Sequence, residues 1–404
     1  MRLRPLTLVG IAASMTMGVA LGVVAFQELV GELRLGRDAT SLGAVVQRVR
    51  DAYVEPIDEQ TLTENAIRGI VDGLDRHSSF LDAAALADLR EETTGNFGGI
   101  GVDIGLENGY ITVIRPLDDT PAARAGLHPG DTLIEVDRKS LRGRTLRETV
   151  KDLRGEPGTE VHVRLRREGV QTPMDFDLVR AAIRVSSVRS RLIEPGYGYV
   201  RIAQFQNKTP QDLREAVQRL ADESEGGLRG LVVDLRNNPG GVLGASVDVA
   251  DEFLEGGLIV YTEGRDEKPE LRFLADDGDI LEGAPLVVLI NRGSASAAEV
   301  VAGALQDHGR ATLVGTRSYG KGSVQSVLRL QGKRAIKLTT AHYYTPNGRS
   351  IQASGIDPDI VVPIPDGDSS AGYDALLLAR AMRQLKESPR QSESQGVRPA
   401  SARG

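Results

Sequence analysis

The chain of 404 residues contains no cysteine. Disulfide bonds, thiolate metal sites and a cysteine nucleophile are therefore excluded, although this absence does not indicate a cellular compartment. A surplus of positive charge is also missing. The formal net charge of -7 argues against nucleic acid as a partner, because binding to phosphates requires a basic surface. The rest of the composition is ordinary for a globular protein, and the length allows two or three domains.

Histidine is scarce, with five residues in the whole chain. His308 follows Asp307 directly on a predicted helix, where the side chains of adjacent residues point about 100° apart. These two residues cannot easily form an Asp–His relay, and no other histidine has an evident orienting carboxylate. The sequence therefore does not support a Ser–His–Asp triad.

The N-terminus has the pattern of a targeting segment. Arg2 and Arg4 precede an uncharged and mostly apolar run over residues 5–27. The run is also about long enough to span a bilayer, which takes roughly 20 residues. We therefore predict that residues 1–27 are a signal peptide or a membrane anchor. Either one would export the rest of the chain across the inner membrane of a bacterium, so that it is periplasmic, soluble or N-terminally anchored.

Residues 28–93 have a helical pattern. Leu42 and Val49 belong to an apolar stripe at helical spacing, and a second helix is predicted over residues 58–74. Reactive side chains do not cluster in this region. We interpret it as a helical arm that serves packing or dimerisation.

Residues 94–180 change to short strands and turns. The two most specific motifs are FGGIGV at 97–102 and TPAARAGLHPGD at 120–131. In this order they resemble a PDZ domain. A glycine-rich turn can present backbone N–H groups to a terminal carboxylate, while an exposed strand edge pairs with a peptide. The peptide-binding candidates are Gly99, Ile100, Gly101 and Val102, with Arg154 as a charge that reports binding to the rest of the protein.

Residues 181–365 alternate strands with helices, which predicts a layered sheet with helices packed on it. Residues 366–404 contain one predicted helix, at 373–385, and a polar tail that we expect to be disordered. The fold class is therefore multidomain α/β (α+β). It combines a helical N-terminal arm, a PDZ-like β domain and a layered α/β domain.

A serine-rich turn joins a buried strand to a helix in the third of these regions. The strand ends at Ile290, and Ser296 lies where the next helix begins. Backbone N–H groups and the positive end of a helix would favour an acyl-transfer nucleophile there, because they stabilise the oxyanion. Ser296 and Glu299 also have the Ser-x-x-Glu spacing of a capping box, so a structural role is an alternative.

A serine nucleophile needs a base, and Lys321 lies between two glycines beside a strand. In a dry pocket the pKa of a lysine falls below its usual value of about 10.4, because desolvation disfavours the ammonium. Such a lysine can take the proton of a serine. A surface turn or a phosphate-contacting turn is the alternative for this motif, which does not match a P-loop.

Four ordered motifs carry a resemblance to a known family. They are VVDLRNNPGG at 232–241, GSASAAE at 293–299, GKGSVQ at 320–325, and TPNGRSI at 345–351 with GIDPD at 355–359. Together they resemble the carboxy-terminal processing peptidases, also called tail-specific proteases. The one departure is Ala298, where the family often has a third serine.

The resemblance implies a set of site residues. The nucleophile would be Ser296 and the general base Lys321, with Gln325 orienting the lysine. The N–H groups of Gly240 and Ala297 would form the oxyanion hole, and Asp307 would be a supporting residue. Asp234 and Arg236 are interpreted as an ion pair at a strand end, and Glu299 as a carboxylate at a helix N-terminus.

The predicted function is that of a serine endopeptidase with Ser–Lys catalysis, whose substrates are proteins with free C-termini. No metal or organic cofactor is implied. The alternative from another class is a PDZ scaffold that binds C-terminal tails without cleaving them, but the complete Ser296, Lys321 and Gln325 set favours the enzyme. An adaptor protein and homo-oligomerisation are left open as partners.

Overall fold

The computed structural model describes residues 41–265, 271–363 and 370–390. The predicted signal peptide or anchor, at residues 1–27, lies outside these ranges, as does most of the predicted disordered tail. Within the described ranges, no helix has both the length and the apolarity needed to cross a membrane. The chain divides into two compact units, one of residues 1–80 with 336–338 and one of residues 81–335 with 339–404.

The first unit contains the two helices that the apolar spacing predicts. Residues 41–52 are helical (α1), and the next helix is Glu59–Asp72 (α2). Asp58 caps α2, because its side chain accepts a hydrogen bond from the amide of Thr61. A short strand, Ser79–Leu81 (β1), ends this region.

A third helix, Ala83–Thr94 (α3), was not separated from the helical arm by the sequence pattern. Asp82 caps its first turn by accepting from the amide of Ala85 at 2.9 Å. The helix ends at Gly95, whose φ of 69° is the left-handed conformation that terminates many helices. This glycine also leads the chain into the PDZ-like region.

The PDZ-like region contains a main sheet, a two-stranded sheet and two helices. Its elements are β2 (Asn96–Gly99), β3 (Val102–Glu107), β4 (Tyr110–Pro116), α4 (Pro121–Arg124), β5 (Thr132–Val136), β6 (Lys139–Ser140), α5 (Leu146–Leu153), β7 (Glu160–Arg166), β8 (Met174–Val179) and β9 (Ala181–Arg184). The main sheet has the order β3-β4-β5-β7-β8, so that β3 is an edge strand, and β2 pairs with β9. A hairpin turn joins β3 to β4, with Asn108 and Gly109 both at positive φ.

The remaining region is α/β. Its elements are β10 (Val188–Glu194), β11 (Tyr197–Ile202), α6 (Thr209–Asp222), β12 (Gly230–Asp234), α7 (Leu243–Asp251), β13 (Gly257–Gly264), β14 (Leu271–Ala275), β15 (Leu286–Ile290), α8 (Ala297–Asp307), β16 (Ala311–Gly315), β17 (Ser323–Leu330), β18 (Arg334–Tyr344), β19 (Ile360–Val361) and α9 (Ser370–Glu387). The predicted fold class is therefore confirmed.

The central sheet has the order β10-β11-β12-β15-β16-β19, and all of its pairings after β10 are parallel. Alternate residues of β12 pack on opposite faces. Val233 belongs to the core that contains α6, α7 and α8, whereas Val232 belongs to the core that contains α9. The layers are thus helices, sheet and helix, which explains the continuous apolar run of this strand.

Parallel strands place their carboxyl ends at one edge of a sheet, where loops of open α/β folds carry function. The loops after β12, β15 and β16 leave this edge, and each contains part of one of three sequence motifs. A second sheet contains β14, β13, β18 and β17 in that order, and β17 begins two residues after Lys321.

Candidate active site

The turn between β15 and α8 holds Ser296 in an unusual conformation. Its φ is 55° and its ψ is -114°, and the residue is half-buried. A non-glycine residue at such dihedral angles costs on the order of 1–3 kcal/mol, and it persists only where the surroundings impose it. Ser296 directly precedes the first residue of α8, so its backbone is fixed at the positive end of that helix.

The neighbouring serine of the same motif has a different environment. Ser294 is fully buried, and its hydroxyl donates to the carbonyl oxygen of Leu235 at 2.8 Å. The hydroxyl oxygen of Ser294 in turn accepts from the amide of Asn291 at 3.0 Å. Ser294 therefore joins the loop after β15 to the end of β12, which is a structural role.

Glu299 links the serine turn to the lysine loop. Its side chain is fully buried, and Oε2 accepts from the amide of Ser296 at 2.8 Å and from the amide of Lys321 at 2.9 Å. The other oxygen, Oε1, accepts from the Gly320 amide at 2.7 Å and from the Ser318 hydroxyl. The capping-box spacing predicted only the first of these contacts. Glu299 thus brings the backbones of Ser296 and Lys321 to one oxygen atom.

Glycines on both sides of Lys321 allow its loop to pack closely against another segment. A methyl group on Gly322 would lie 2.3 Å from the backbone nitrogen of Gln352. Gly320 has a φ of 88°, and a methyl group there would lie 3.1 Å from the amide nitrogen of Gly355. Lys321 itself is half-buried. The segment of residues 352–355, which includes the start of the second part of the fourth motif, therefore packs against the backbone on both sides of Lys321.

Gln325 lies on β17, four residues after Lys321. Its Nε2 donates to the Ser323 hydroxyl at 3.1 Å and to the Thr339 hydroxyl at 2.9 Å. Its Oε1 is buried and has no hydrogen-bond partner among the described residues. A buried carbonyl oxygen without a partner costs folding free energy unless another group donates a hydrogen bond to it.

The two predicted oxyanion donors lie next to the serine. A methyl group on Gly240 would be 2.9 Å from Cβ of Ser296 and 3.1 Å from the amide nitrogen of Ala297. Ala297 is the first residue of α8, and amides in this position have no intrahelical acceptor. The amide of Gly240 donates to Oδ1 of Asn238 at 2.9 Å. Sequence reasoning did not identify Asn238, which is fully buried.

Asp307 holds a turn of the fourth motif. Its carboxylate, which is 4% exposed, forms an ion pair with Arg349 and accepts from the amide of Asn347 at 2.9 Å. The adjacent His308 contacts the carbonyl oxygen of Leu258 at 2.7 Å through Nε2. Asp307 therefore stabilises the turn around Asn347, and the imidazole of His308 bonds to Leu258 and not to Asp307.

Asp234 and Arg236 form the expected ion pair at the end of β12. Asp234 is fully buried, and its Oδ2 accepts from Arg236 Nη2 and from the Tyr199 hydroxyl, each at 2.6 Å. Burial disfavours the carboxylate, but hydrogen bonds from Arg236 and Tyr199 outweigh it and hold the pKa of Asp234 below its usual value. Arg236 also pairs with Asp374 on α9.

One expectation about histidine was wrong. His162 does have carboxylate partners, since its Nδ1 lies 2.8 Å from Asp177 and its Nε2 lies 3.2 Å from Asp175. The hydrogen bond to Asp177 raises the pKa of His162 above its usual value. These contacts run between β7 and β8, so they follow from strand register, and sequence proximity could not show them.

A groove of about 200 Å³ lies between the glycine-rich loop, β3 and α5 of the PDZ-like region. All five predicted peptide-binding residues line it: Gly99, Ile100, Gly101, Val102 and Arg154. The Ile100 side chain is 1% exposed and belongs to the domain core, so only its backbone is available to a ligand. The edge position of β3 leaves one side of that strand open for pairing.

Arg154 connects this groove to α3. Its Nη1 lies 2.9 Å from Oε2 of Glu91, and its guanidinium stacks on the ring of Phe97 at 4.6 Å. The next residue, Gly155, donates to the carbonyl oxygen of Gly98 at 3.1 Å. Arg154 is therefore more constrained than a solvated surface arginine.

Comparison with known proteins assigns these regions. The model of peptidase family S41 matches residues 196–362, and that of the PDZ domain matches residues 88–166. A carboxy-terminal-processing protease of Bartonella bacilliformis is 48% identical over 83% of this chain and 77% of its own length. The chain belongs to the carboxy-terminal processing proteases of family S41.

Further comparisons agree with this membership. The protease is 37% identical to a carboxyl-terminal-processing protease of Synechocystis, over 78% of this chain and 75% of the relative. A solved structure of a putative S41 protease from Bacteroides fragilis has a TM-score of 0.50 and 17% identity, over 85% of this chain and 97% of the other. The latter similarity concerns the fold alone. The predicted family and its serine-protease activity are therefore confirmed.

Proposed function

We propose that the protease cleaves proteins through a Ser–Lys mechanism in which Ser296 is the nucleophile and Lys321 is the general base. One observation carries this proposal. The backbone amides of both residues donate to the same buried oxygen, Oε2 of Glu299, at 2.8 and 2.9 Å. Two segments 25 positions apart in the sequence are thereby held together at the carboxyl edge of a parallel sheet.

In the proposed reaction, Nζ of Lys321 takes the proton of the Ser296 hydroxyl while Oγ attacks a substrate carbonyl carbon. The C–N bond then breaks, and Lys321 gives the proton to the leaving amine. Water hydrolyses the acyl-enzyme with the lysine acting again as the base. A guanidinium cannot replace the lysine in these steps because it stays charged.

The amides of Gly240 and Ala297 are the proposed oxyanion donors. Ala297 contributes an N–H from the first turn of α8, where the helix dipole favours negative charge. The amide of Gly240 donates to Asn238 in this structure, so it must exchange that acceptor for the oxyanion. A charged oxyanion is the stronger acceptor of the two, which favours the exchange during the reaction.

Recognition of a free C-terminus is the second part of the proposal. The glycine-rich loop supplies backbone donors for a carboxylate, and the free edge of β3 can pair with an extended tail. The groove offers backbone contacts along this strand, so it favours extended tails over folded ones. Selection by the PDZ domain and cleavage by the S41 domain would then act on one substrate.

Covalent labelling tests the nucleophile. A serine-directed fluorophosphonate should modify Ser296 and abolish cleavage of an unfolded protein with an apolar, free C-terminal tail. Ser296→Ala should lose both labelling and cleavage while its melting temperature changes little. Ser294→Ala is the matched control, because its buried hydroxyl only bonds to the backbone; it should keep the label. Label on Ser294, or cleavage by Ser296→Ala, would move the nucleophile elsewhere.

Export is proposed from residues 1–27 alone. A fusion of this segment to a reporter that is active only outside the cytoplasm should gain activity, and replacement of the apolar run by polar residues should remove it. An inactive fusion with the intact segment would refute export. Cross-linking in the presence of tail substrate would show whether the protease forms oligomers or requires an adaptor.

A further inference from the structure

The two polar atoms of the Gln325 side-chain amide have different environments. Its nitrogen donates to two hydroxyls, those of Ser323 at 3.1 Å and Thr339 at 2.9 Å, whereas its oxygen is buried without a hydrogen-bond partner among the residues described. We propose that Thr339 is a positioning residue of the catalytic site, which keeps the Gln325 carbonyl oxygen available to Lys321. This inference rests on the Ser–Lys mechanism proposed above.

The two ends of a primary amide are similar in shape but opposite in hydrogen-bonding role. Rotation of the terminal torsion of glutamine by 180° exchanges its oxygen with its nitrogen, and the torsion itself has only a weak preference. The hydrogen-bond partners therefore decide which atom faces which side. With both hydrogens of Nε2 directed at hydroxyl oxygens, Oε1 is left on the other side as the acceptor.

This choice matters when Lys321 takes a proton. The ammonium that forms has only donors, so a carbonyl oxygen stabilises it and an amide N–H repels it. The oxygen of Gln325 is buried, where an unpaired acceptor is costly and a charged donor is correspondingly well bound. The correct amide orientation thus stabilises the state in which the lysine carries the proton.

Thr339 and Ser323 approach the amide from two strands. Ser323 is the first residue of β17 and is 3% exposed, whereas Thr339 lies within β18 and is half-buried. The next residue of β18, Thr340, has its hydroxyl 2.7 Å from that of Ser326 on an exposed part of the same hairpin. Thr340 is therefore a control of the same residue type that does not contact the glutamine.

The first test replaces the hydroxyl of Thr339 by a methyl group of similar size. Thr339→Val should lower kcat by roughly two- to twelvefold, which is the range for loss of one neutral hydrogen bond. KM for an unfolded protein with an apolar free tail should stay unchanged, because Thr339 does not line the groove that is proposed to bind the tail. Thr339→Ser should restore kcat, and Thr340→Val should match the wild type.

The second test separates positioning from a structural role. In a Gln325→Ala background, Thr339→Val should cause no further loss of kcat, since the group that it orients is gone. An equal loss in both backgrounds would overturn the inference, as would unchanged kcat in Thr339→Val. If Thr339→Val does not fold, Ser323→Ala removes the other acceptor and is predicted to give the same pattern.

A parallel measurement shows which proposal fails. Lys321→Arg and Gln325→Ala are assayed with the same substrate. Wild-type rates in Lys321→Arg would refute the Ser–Lys mechanism and, with it, this inference. Loss of activity in Lys321→Arg and Gln325→Ala together with a wild-type Thr339→Val enzyme would refute the role of Thr339 alone.

Discussion

Replacement of Glu299 tests whether one buried carboxylate holds the catalytic geometry. All four of its partners are donors, which suits a carboxylate but cannot suit an amide at both ends. In Glu299→Gln, an amide nitrogen at the Oε2 position would face two N–H groups, those of Ser296 and Lys321. At the Oε1 position it would face the N–H of Gly320 and the Ser318 hydroxyl, and a hydroxyl can also accept. The glutamine should therefore choose the second orientation.

The preferred orientation of the glutamine amide sets the expected changes in stability and in kcat. Glu299→Gln leaves one buried N–H, that of Gly320, without an acceptor, which costs about 1–3 kcal/mol of unfolding free energy. At roughly 2–4 °C per kcal/mol, the melting temperature should fall by about 2–12 °C. The amide oxygen of the glutamine still accepts from the amides of Ser296 and Lys321. Because one neutral hydrogen bond contributes about 1 kcal/mol, kcat should stay within about tenfold of the wild type. Glu299→Ala removes this link, and a displacement near 1 Å costs on the order of a hundredfold in kcat.

The control for this experiment is another buried carboxylate. Asp279 is 3% exposed, pairs with Arg310, and accepts from the amides of Leu281 and Gly283, both at 2.9 Å. Arg310 precedes β16, which places this cluster at the opposite end of the parallel sheet. Asp279→Asn should lower the melting temperature and leave kcat unchanged. If Glu299→Ala behaves in the same way, the carboxylate only stabilises the fold and the positioning argument is wrong.

Three further predictions concern the base, the buried ion pair and the tail. Lys321→Arg should show no cleavage in a peptide-release assay at any pH where the protein is folded, because guanidinium does not give up its proton; turnover would exclude the general-base role. Asp234→Asn should cost about 3–5 kcal/mol of unfolding free energy at pH 7, since it leaves Arg236 buried with only an exposed partner. The folded-state pKa of Asp234 is lowered, so the stabilisation is present above the unfolded value near 3.9 and is lost as the pH falls below it. Denaturant titrations should therefore show the unfolding free energies of the wild type and Asp234→Asn converging as the pH falls below about 3.9, and a constant difference would contradict the ion-pair explanation. Amidation of the substrate C-terminus removes its charge and should slow cleavage relative to the free acid, whereas equal rates would rule out carboxylate capture.

Much of the fold could be predicted because its strands and helices have regular apolar patterns. The strand Leu286–Ile290 ends at the residue that the sequence indicates, and the helix predicted over residues 58–74 is Glu59–Asp72. β14 was missed for a physical reason. Its Leu271 and Leu274 are 61% and 66% exposed on an edge strand, so the pattern of a half-buried strand is absent.

The candidate site could be predicted only in part. Sequence spacing identified the capping contact between Ser296 and Glu299, because the two lie three positions apart on one helix turn. The other donors to Glu299 come from the loop of residues 318–321. Their approach depends on β16 lying parallel to β15, and this tertiary pairing leaves no trace in local spacing. The orientation of the Gln325 amide depends on Thr339 in the same way.

The contacts of Arg154 limit how the PDZ domain can control cleavage. Its ion pair with Glu91 is partly exposed, with side chains 41% and 31% accessible, and such pairs contribute about 0–1 kcal/mol. If the PDZ domain switches between a closed and an open position, a bound tail must favour the open position by about 5.5 kcal/mol to change the open-to-closed ratio from 1:99 to 99:1. The ion pair alone is therefore too weak to act as the switch. Control by a bound tail would also have to use the backbone, where Gly155 bonds to Gly98 and β2 pairs with β9 at the entry to the catalytic region.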